Sequence, residues 1–470
     1  GFYAGGMFGF DTDSLDHVSS LREMVERDRI LPRTTFYIDG DGAAVDARKG
    51  FFHVLLAVQA LLCHTSVLHL WDLLPGLLMP LALVVFHSFA RRLLRSEGSA
   101  LFATFLAFVF FGEINRGTFL RLGYGSQMGF VLAWATLAGS LEYILRIGRR
   151  EVLIVVALAA FGATATHIFA AVYVLFSLGV FFLAMLLFRP WRSEGVRRVG
   201  QSILAVSAGC AIPLIWRYLF TYETLNPIHT HPHGILSFAE NLYILMPDHW
   251  KRFPSVAGFG GVFLSLFLWR RAREDDAVLY MAALSLAPIL IVFNPLLVPL
   301  LEPYLGYLVA RFVWAIPFLM VFAHMARRMG ENLLELHSAR RVVTSLLFYV
   351  FMVVLLFPRL EGFAHSYARA NLERREDRSS LAWKPLLDKL AGTVTGPAVV
   401  LSDPVTGYSI PAFTSLYTVS VLHQHGSPSD SLALERLAAC RDVLSPYRGA
   451  GEKARLCHRF DVDYVLINGE

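Results

Sequence analysis

The chain has 470 residues, of which 55% are hydrophobic and 17% charged, and its formal net charge is +5. Its mean hydropathy of +0.52 is too high for a water-soluble protein of this length, so the lipid bilayer is the expected solvent. The arginines gather between apolar runs and form no basic stripe with interleaved aromatic residues, which argues against a nucleic-acid partner.

The opening region is polar and acid-rich, and it holds the first candidate site. Asp11, Asp13, Asp16 and His17 fall within seven consecutive residues. Such a cluster can bind a divalent cation or hold one carboxylate ready as a general base. The alternative is that Ser14 or Asp16 caps the helix predicted to follow.

Ten apolar runs, long enough or nearly long enough to cross a bilayer, dominate the middle of the chain. They are 73–90, 100–111, 129–145, 152–165, 168–188, 202–220, 256–269, 277–293, 305–326 and 342–357. A shorter apolar segment, 51–63, cannot cross and is predicted to lie along the membrane surface. We expect a further span before Gly1, and a cleaved signal peptide is the alternative.

Arginine clusters lie in every second break between these runs. They are at 91–95, 146–150, 189–198, 270–273 and 327–341. Because arginine accumulates in cytoplasmic loops, all of them are predicted to face the cytoplasm. The chain then divides into an external first loop (1–72), a transmembrane region (73–358) and an external tail (359–470).

The tail differs sharply in composition from the transmembrane region. Four patterns in it predict a small soluble α/β domain. They are helices at 381–390 and 432–444 and strands at 398–402 and 464–467. Cys440 and Cys457 both lie in this tail, and either one disulfide or two free thiols is compatible with the sequence.

Other candidate residues lie outside the first loop. Arg311 falls inside the ninth apolar run, where a buried charge suggests a function, although a long side chain can also reach the membrane surface. Glu113 follows the second run as a candidate acidic group or a plain surface residue. His229, His231 and His233 alternate in a loop, a spacing that suits zinc or another transition metal; a plain polar loop is the alternative.

Several segments of the first 110 residues resemble the opening of the GT-C membrane glycosyltransferases, and especially the lipid A aminoarabinose transferases. They are DSLDH (13–17), LREMVE (21–26), LPR (31–33), DARKGFFH (46–53) and FARRL (89–93). The resemblance places Asp13 at the essential aspartate of the family and Lys49 at the lysine that contacts the donor phosphate. The chain departs from the pattern at Ser14, where the family has an acidic residue, and at His17, where it has tyrosine.

The resemblance implies a polytopic α-helical fold with a small external α/β domain. It implies that a sugar moves from a polyprenyl-phosphate donor to a lipid, glycan or protein acceptor, with inversion, at the periplasmic face of a bacterial inner membrane. The implied catalytic residues are Asp13, Asp11, Asp16 and Glu113, and the implied substrate-binding residues are Lys49, Asp46, His53 and Arg311. The cofactor expected, if there is one, is a divalent metal ion.

Two other function classes are compatible with the sequence. The same fold could serve as a catalytically inactive scaffold or assembly subunit with partners in a membrane complex. A transporter fits less well, because intramembrane acidic residues usually mark ion pathways and the apolar runs lack Asp and Glu apart from Glu142.

Overall fold

The structure is a computed structural model. It describes residues 12–27, 30, 34–38, 50–114, 125–145, 149–189, 191–219, 226, 234–247, 255–335, 338–375, 384–422 and 425–467. The statements below concern these residues.

The part before the tail is almost entirely helical. Its α-helices are α1 (Thr12–Arg27), α2 (Phe51–Leu62), α3 (Val67–Leu94), α4 (Glu97–Ile114), α5 (Gly125–Leu145), α6 (Val152–Thr166), α7 (Ile168–Phe188), α8 (Ser193–Leu219), α9 (Ser255–Ser265), α10 (Trp269–Ala272), α11 (Asp276–Val292), α12 (Leu297–Leu305), α13 (Phe318–Leu334) and α14 (Ala339–Arg375). Two 3-10 helices interrupt the series, a short one at Leu266–Leu268 and a long one at Gly306–Ala315. A hairpin of β1 (Ile235–Ala239) and β2 (Leu242–Leu245) stands between α8 and α9.

The chain is an integral membrane protein. Among the described residues, six helical segments are long and apolar enough to cross a membrane, one of them formed by most of the long 3-10 helix together with α13 (Leu308–Leu334). The number rises to seven if the bent pair of α11 and α12 counts as one span. Each predicted apolar run overlaps a helix, but α4 and α6 are shorter than the long spans. The predicted number of ten crossings therefore stays a prediction.

The five arginine clusters meet at one end of the bundle, which we call the arginine end. Arg189 is 1% exposed and donates from Nη1 to Asp276 Oδ1 at 2.5 Å and from Nη2 to the Ala272 carbonyl at 2.8 Å. Further contacts join neighbouring helices at the same end: Arg92 to Glu142 at 3.2 Å, Arg95 to Asp275 at 3.8 Å, and Arg198 to the Tyr143 carbonyl at 2.9 Å. The charge of Arg271 also acts on Arg328, which places the last cluster at this end.

The first loop and the tail lie together at the opposite end, which we call the loop end. The tail contains α15 (Lys384–Thr393), β3 (Val399–Leu401), α16 (Pro404–Phe413), β4 (Tyr417–Thr418), α17 (Ala433–Leu444), α18 (Ala450–Arg459) and β5 (Tyr464–Val465). Its three strands form a parallel sheet in the order β4-β3-β5. The helices predicted at 381–390 and 432–444 and the strands predicted at 398–402 and 464–467 are confirmed within a few residues.

Two features of the tail differ from the simplest expectation. Helix α14 does not end where the apolar run ends, but continues through Pro358 to Arg375. A change of solvent at the membrane surface changes which residues are favourable, but it does not force a helix to stop. Cys440 and Cys457 are free thiols, so the disulfide alternative is wrong in this structure.

A single apolar core unites the first loop, the start of α3 and the tail. Its buried members include Leu21 of α1, Leu56 of α2, Leu70 of α3 and Tyr408 of α16. Because these side chains bury one another, the first loop is held from both sides, by the membrane bundle and by the tail.

Candidate functional site

Helix α1 carries the acidic cluster of the first loop. It begins at Thr12, so Ser14 and Asp16 lie inside its first two turns, and the alternative that either residue caps a later helix is wrong. Residues three and four apart share a helix face, so Asp13, Asp16 and His17 lie on the same side of α1. The structure describes the backbone of Asp13 but not its side chain.

A histidine pair links α1 to α2. His17 Nδ1 lies 2.7 Å from His53 Nε2, and the two rings stack with centroids 4.9 Å apart. The ring of Trp71, at the start of α3, also stacks with His17, with centroids 5.6 Å apart. His53 is 2% exposed, so the pair is buried between α1 and α2. His53 was predicted as a donor-binding residue, and the structure places it directly beside the acidic face of α1.

Helix α2 confirms the helical reading of the apolar segment at 51–63, and it rests on the end of the bundle. A Cβ added to Gly125, the first residue of α5, would lie 3.3 Å from Phe52 Cδ1 and 3.4 Å from the Thr166 carbonyl oxygen. This close approach packs α2 against the start of α5 and the end of α6. The side chain of Phe52 therefore lies next to the turn that contains His167.

An electropositive region lies around that turn. Arg311, on the long 3-10 helix, places its guanidinium 5.0 Å from the ring centroid of Trp314 and 5.9 Å from that of Phe169. His167 lies between α6 and α7, outside both helices. Burial, followed by the charges of Arg311 and Arg217, lowers the pKa of His167 from 6.5 to about 3. Two guanidinium groups from different elements thus act on one neutral imidazole.

Arg217 is a candidate that sequence reasoning missed. It lies in the last turn of α8, at the loop end of the bundle. The available signal was position: it is an arginine at the end of an apolar run that belongs to none of the five clusters. Arg311 was singled out because it is an arginine within an apolar run, and the same criterion applies to Arg217.

The backbone changes form where Arg311 is placed. The predicted run 305–326 is not one helix: the 3-10 helix ends at Ala315, and α13 begins at Phe318 after Ile316 and Pro317. Such a long 3-10 segment is unusual and often marks a functional or strained site. A cavity lies at this break. Its lining includes Phe86, Phe89, Trp134, Tyr173, Tyr280, Trp314 and Phe318.

The segment between α1 and α2 is fixed to the tail. The Thr418 amide donates to the Phe36 carbonyl at 2.8 Å, and the Phe36 and Tyr408 rings lie 5.4 Å apart. The next side chain, Tyr37, lies under the guanidinium of Arg436 at 3.8 Å.

Asp430 completes this buried contact. Its carboxylate lies 3.6 Å from Arg436 Nε, and both side chains are 3% exposed. Burial raises the pKa of Asp430, and burial followed by the Asp430 charge raises the pKa of Tyr37. The phenol therefore stays neutral and hydrogen-bonds to the carboxyl group.

The remaining sequence predictions lie outside the described residues. They are Asp11, Asp46, Lys49, His229, His231 and His233, together with the side chain of Glu113 near the end of α4. Within the described part of the chain, no group of three or more His, Cys, Asp or Glu residues could hold a metal ion.

Comparison with known proteins identifies the fold through solved structures. No protein-family model matches the sequence, and no curated protein matches it. The oligosaccharyltransferase AglB of Archaeoglobus fulgidus, in complex with an inhibitory peptide and a dolichol-phosphate, is similar with a TM-score of 0.58 and 11% identity over 99% of this chain and 67% of that one. In its apo form it matches with a TM-score of 0.56 and 12% identity over 98% of this chain and 66% of that one.

A second protein has the same architecture. ArnT of Cupriavidus metallidurans, bound to undecaprenyl phosphate, is similar with a TM-score of 0.52 and 14% identity over 92% of this chain and 85% of that one. The chain spans about two thirds of the length of the archaeal protein and most of the length of the bacterial one. At these identities the likeness establishes the fold.

Proposed function

We propose that this chain, which has the fold of the GT-C membrane glycosyltransferases, transfers a sugar from a polyprenyl-phosphate donor to an acceptor at the loop end of the bundle. The acceptor is a lipid, glycan or protein. The loop end would face the periplasm of a bacterial inner membrane, because the arginine end carries the residues that accumulate on the cytoplasmic side. The similar structures of AglB and ArnT, solved with dolichol-phosphate and undecaprenyl phosphate, support this donor class.

The observation that carries the proposal is the position of Trp314. Its ring lies against the Arg311 guanidinium and also lines the aromatic cavity at the break before α13. A guanidinium held against aromatic rings suits a ligand with an anionic head next to an apolar part. A polyprenyl phosphate has this character.

The chemistry would divide between two walls of the site. Arg311, with Arg217 and the predicted Lys49, would stabilise the phosphate as it leaves the anomeric carbon. Asp13, on the acidic face of α1, would remove the proton of the acceptor hydroxyl or amine, with Asp16, Glu113 and Asp11 as further acidic candidates. A single in-line attack of this kind inverts the anomeric centre.

The histidine pair would position this acidic face. The contact of His17 with His53 and Trp71 fixes α1 over the start of α3. The predicted Asp46 and His53 would contact the donor from the same side. Holding a base in place before the substrate arrives reduces the reorganisation needed in the transition state.

The proposed enzyme could also use a divalent metal ion, for which the described residues offer no group of ligands. AglB has been solved with Zn and sulfate. In this chain the nitrogens His17 Nδ1 and His53 Nε2 contact each other, so this pair as arranged does not fit a shared metal ion. Ligands would have to come from Asp13 and from His229, His231 and His233.

The donor site is tested by the lipid that purifies with the protein. Arg311→Met and Lys49→Met should each reduce co-purified polyprenyl phosphate, measured by mass spectrometry, by at least ~10-fold, because each removes a charge-assisted phosphate contact in a partly dry site. The double variant should lose less than the two single losses combined, since both residues serve one phosphate. Arg327→Met, at the arginine end, is the matched control and should retain the lipid.

The same measurement separates an enzyme from a scaffold. Equal lipid in all variants, with any defect appearing as lost association with a partner, would support the inactive-scaffold alternative. That result would also show that Arg311 and Lys49 do not bind the donor phosphate.

A further inference from the structure

Helix α12 is set at a right angle to the membrane-crossing helix before it. Helix α11 begins at Asp276, which pairs with Arg189 at the arginine end, so its other terminus lies at the loop end. The axes of α11 and α12 differ by 87°. Because α11 runs from the arginine end to the loop end, α12 lies across the end of the bundle and not along it. With nine residues, it is too short to cross by itself.

One side of α12 and of the turn before it is apolar and exposed. The exposed residues are Phe293 (45%), Leu296 (63%), Leu297 (37%), Leu300 (65%) and Tyr304 (87%). Their spacing of three or four residues is that of one helical face, which we call the α12 stripe. Val298, on the other side, is fully buried. The stripe contains no charged residue.

The β1–β2 hairpin extends this surface. Strand β2 packs on α12, where Tyr243 donates its hydroxyl to Glu302 Oε2 at 3.3 Å. The only carboxylate of α12 is therefore turned toward the hairpin and away from the stripe. Strand β1 exposes further large apolar side chains, Ile235 (37%), Leu236 (42%) and Phe238 (62%).

We propose that α12 and the hairpin form an in-plane membrane anchor, with the α12 stripe inserted into the lipid leaflet at the loop end. The partner is the bilayer itself, because the helix lies across the end of the bundle and the stripe is uncharged. The last residue of the stripe is Tyr304, and tyrosine is enriched at membrane–water interfaces. This is the arrangement of an interfacial amphipathic helix, whose apolar face is buried among acyl chains.

The anchor has a direct covalent link to the candidate site. Gly306, with φ +54°, joins α12 to the 3-10 helix that carries Arg311. A side chain would strain this left-handed turn, so glycine suits the abrupt change of direction. The depth of α12 in the leaflet would therefore set the depth of Arg311. This last step rests on the proposed function, whereas the anchor itself does not.

Spin labels measure the insertion without any reference to sugar transfer. Labels would be placed singly at Leu296→Cys, Leu300→Cys and Tyr447→Cys in protein whose four native cysteines are replaced, reconstituted in phosphatidylethanolamine–phosphatidylglycerol vesicles. We expect collisions with oxygen to exceed collisions with a water-soluble nickel complex at 296 and 300. The opposite order is expected at Tyr447, which is 95% exposed on the tail.

Two outcomes would overturn the anchor. Labels at 296 and 300 that collide mainly with the nickel complex would mean that the stripe faces water. Labels protected from both reagents would mean that a second protein chain covers it.

A charge in the stripe tests the link to Arg311. Leu300→Lys should reverse the collision preference of a label at 296 and reduce co-purified lipid several-fold, whereas Leu300→Met should change neither. If the label reverses but the lipid is unchanged, the anchor stands and its link to the donor site is wrong.

Discussion

The two ends of the bundle use arginine differently. At the arginine end, the buried Arg189 is neutralised by Asp276 and by a backbone carbonyl, and neighbouring arginines also pair across helices. At the loop end, Arg311 lies over aromatic rings, and its charge adds to that of Arg217 at His167. The first arrangement cancels charge and joins helices. The second brings two arginines from different elements close to one buried imidazole, as the proposed binding of an anionic donor would require.

The largest expected effect is on activity at the loop end. Asp13→Asn should lower sugar transfer by ~100- to 10,000-fold while leaving expression intact, because the base is lost and the volume is kept. Asp16→Asn should have a milder effect. Turnover would be measured with a polyprenyl-phosphate sugar in vesicles. Near-normal turnover of Asp13→Asn with an inactive Asp16→Asn would move the base to Asp16.

At the arginine end the expected effect is on stability. Arg189→Met should destabilise the fold by ~3 kcal/mol, because it removes the buried one of the two arginine partners of Asp276. Arg192→Met is the matched control: Arg192 pairs with the same aspartate, but its side chain is 49% exposed, and a loss below ~1 kcal/mol is expected. Unfolding in detergent would be followed by heat or denaturant. Equal losses would contradict the division between buried and exposed pairs.

A smaller effect is expected where the first loop meets the tail. Tyr37→Phe removes the phenol that bonds to Asp430 and should destabilise the contact by ~1 kcal/mol. The measurement is hydrogen exchange of the Thr418 amide, which donates to Phe36 and should exchange faster. Tyr447→Phe, on an exposed tyrosine, should leave that amide unchanged. An unchanged rate in Tyr37→Phe would mean that the loop is held by its apolar contacts alone.

The smallest effect concerns pH. The pKa of His167 falls from 6.5 to about 3 on folding, so the unfolded chain binds the proton more readily. Its contribution to stability is present above pH 6.5 and is lost as pH falls from there toward 3. Between pH 7 and pH 6 the loss should be below ~1 kcal/mol. In His167→Asn the free energy of unfolding should depend less on pH between pH 7 and pH 6. An unchanged dependence would mean that other groups cause the loss of stability in acid.

Much of the helical framework was predictable because the membrane requires long apolar segments. The runs at 168–188 and 129–145 match α7 and α5 closely. The break at Ile316 was not predicted, since the apolar run continues across it. The 3-10 helix that presents Arg311 depends on packing and not on composition.

The elements around the candidate site were predictable where their residues are close in sequence. The acidic helix and the helical segment around His53 followed from local patterns. The contact of Tyr37 with Arg436 joins residues at opposite ends of the chain, and no local pattern indicates it. Arg217 was missed because a single arginine at the end of a span resembles an ordinary interfacial anchor.

Helix α14 is longer than the bilayer core is thick. Its 37 residues correspond to about 56 Å, and the part after Pro358 to about 25 Å, beyond the ~30 Å that the bilayer core occupies. The described part of the helix after Pro358 therefore extends beyond the bilayer core at the loop end. One residue inserted after Pro358 would turn the end of α14 by ~100° and lengthen it by ~1.5 Å. The hydrogen bond from the Thr418 amide to the Phe36 carbonyl joins the tail to the first loop without involving this helix.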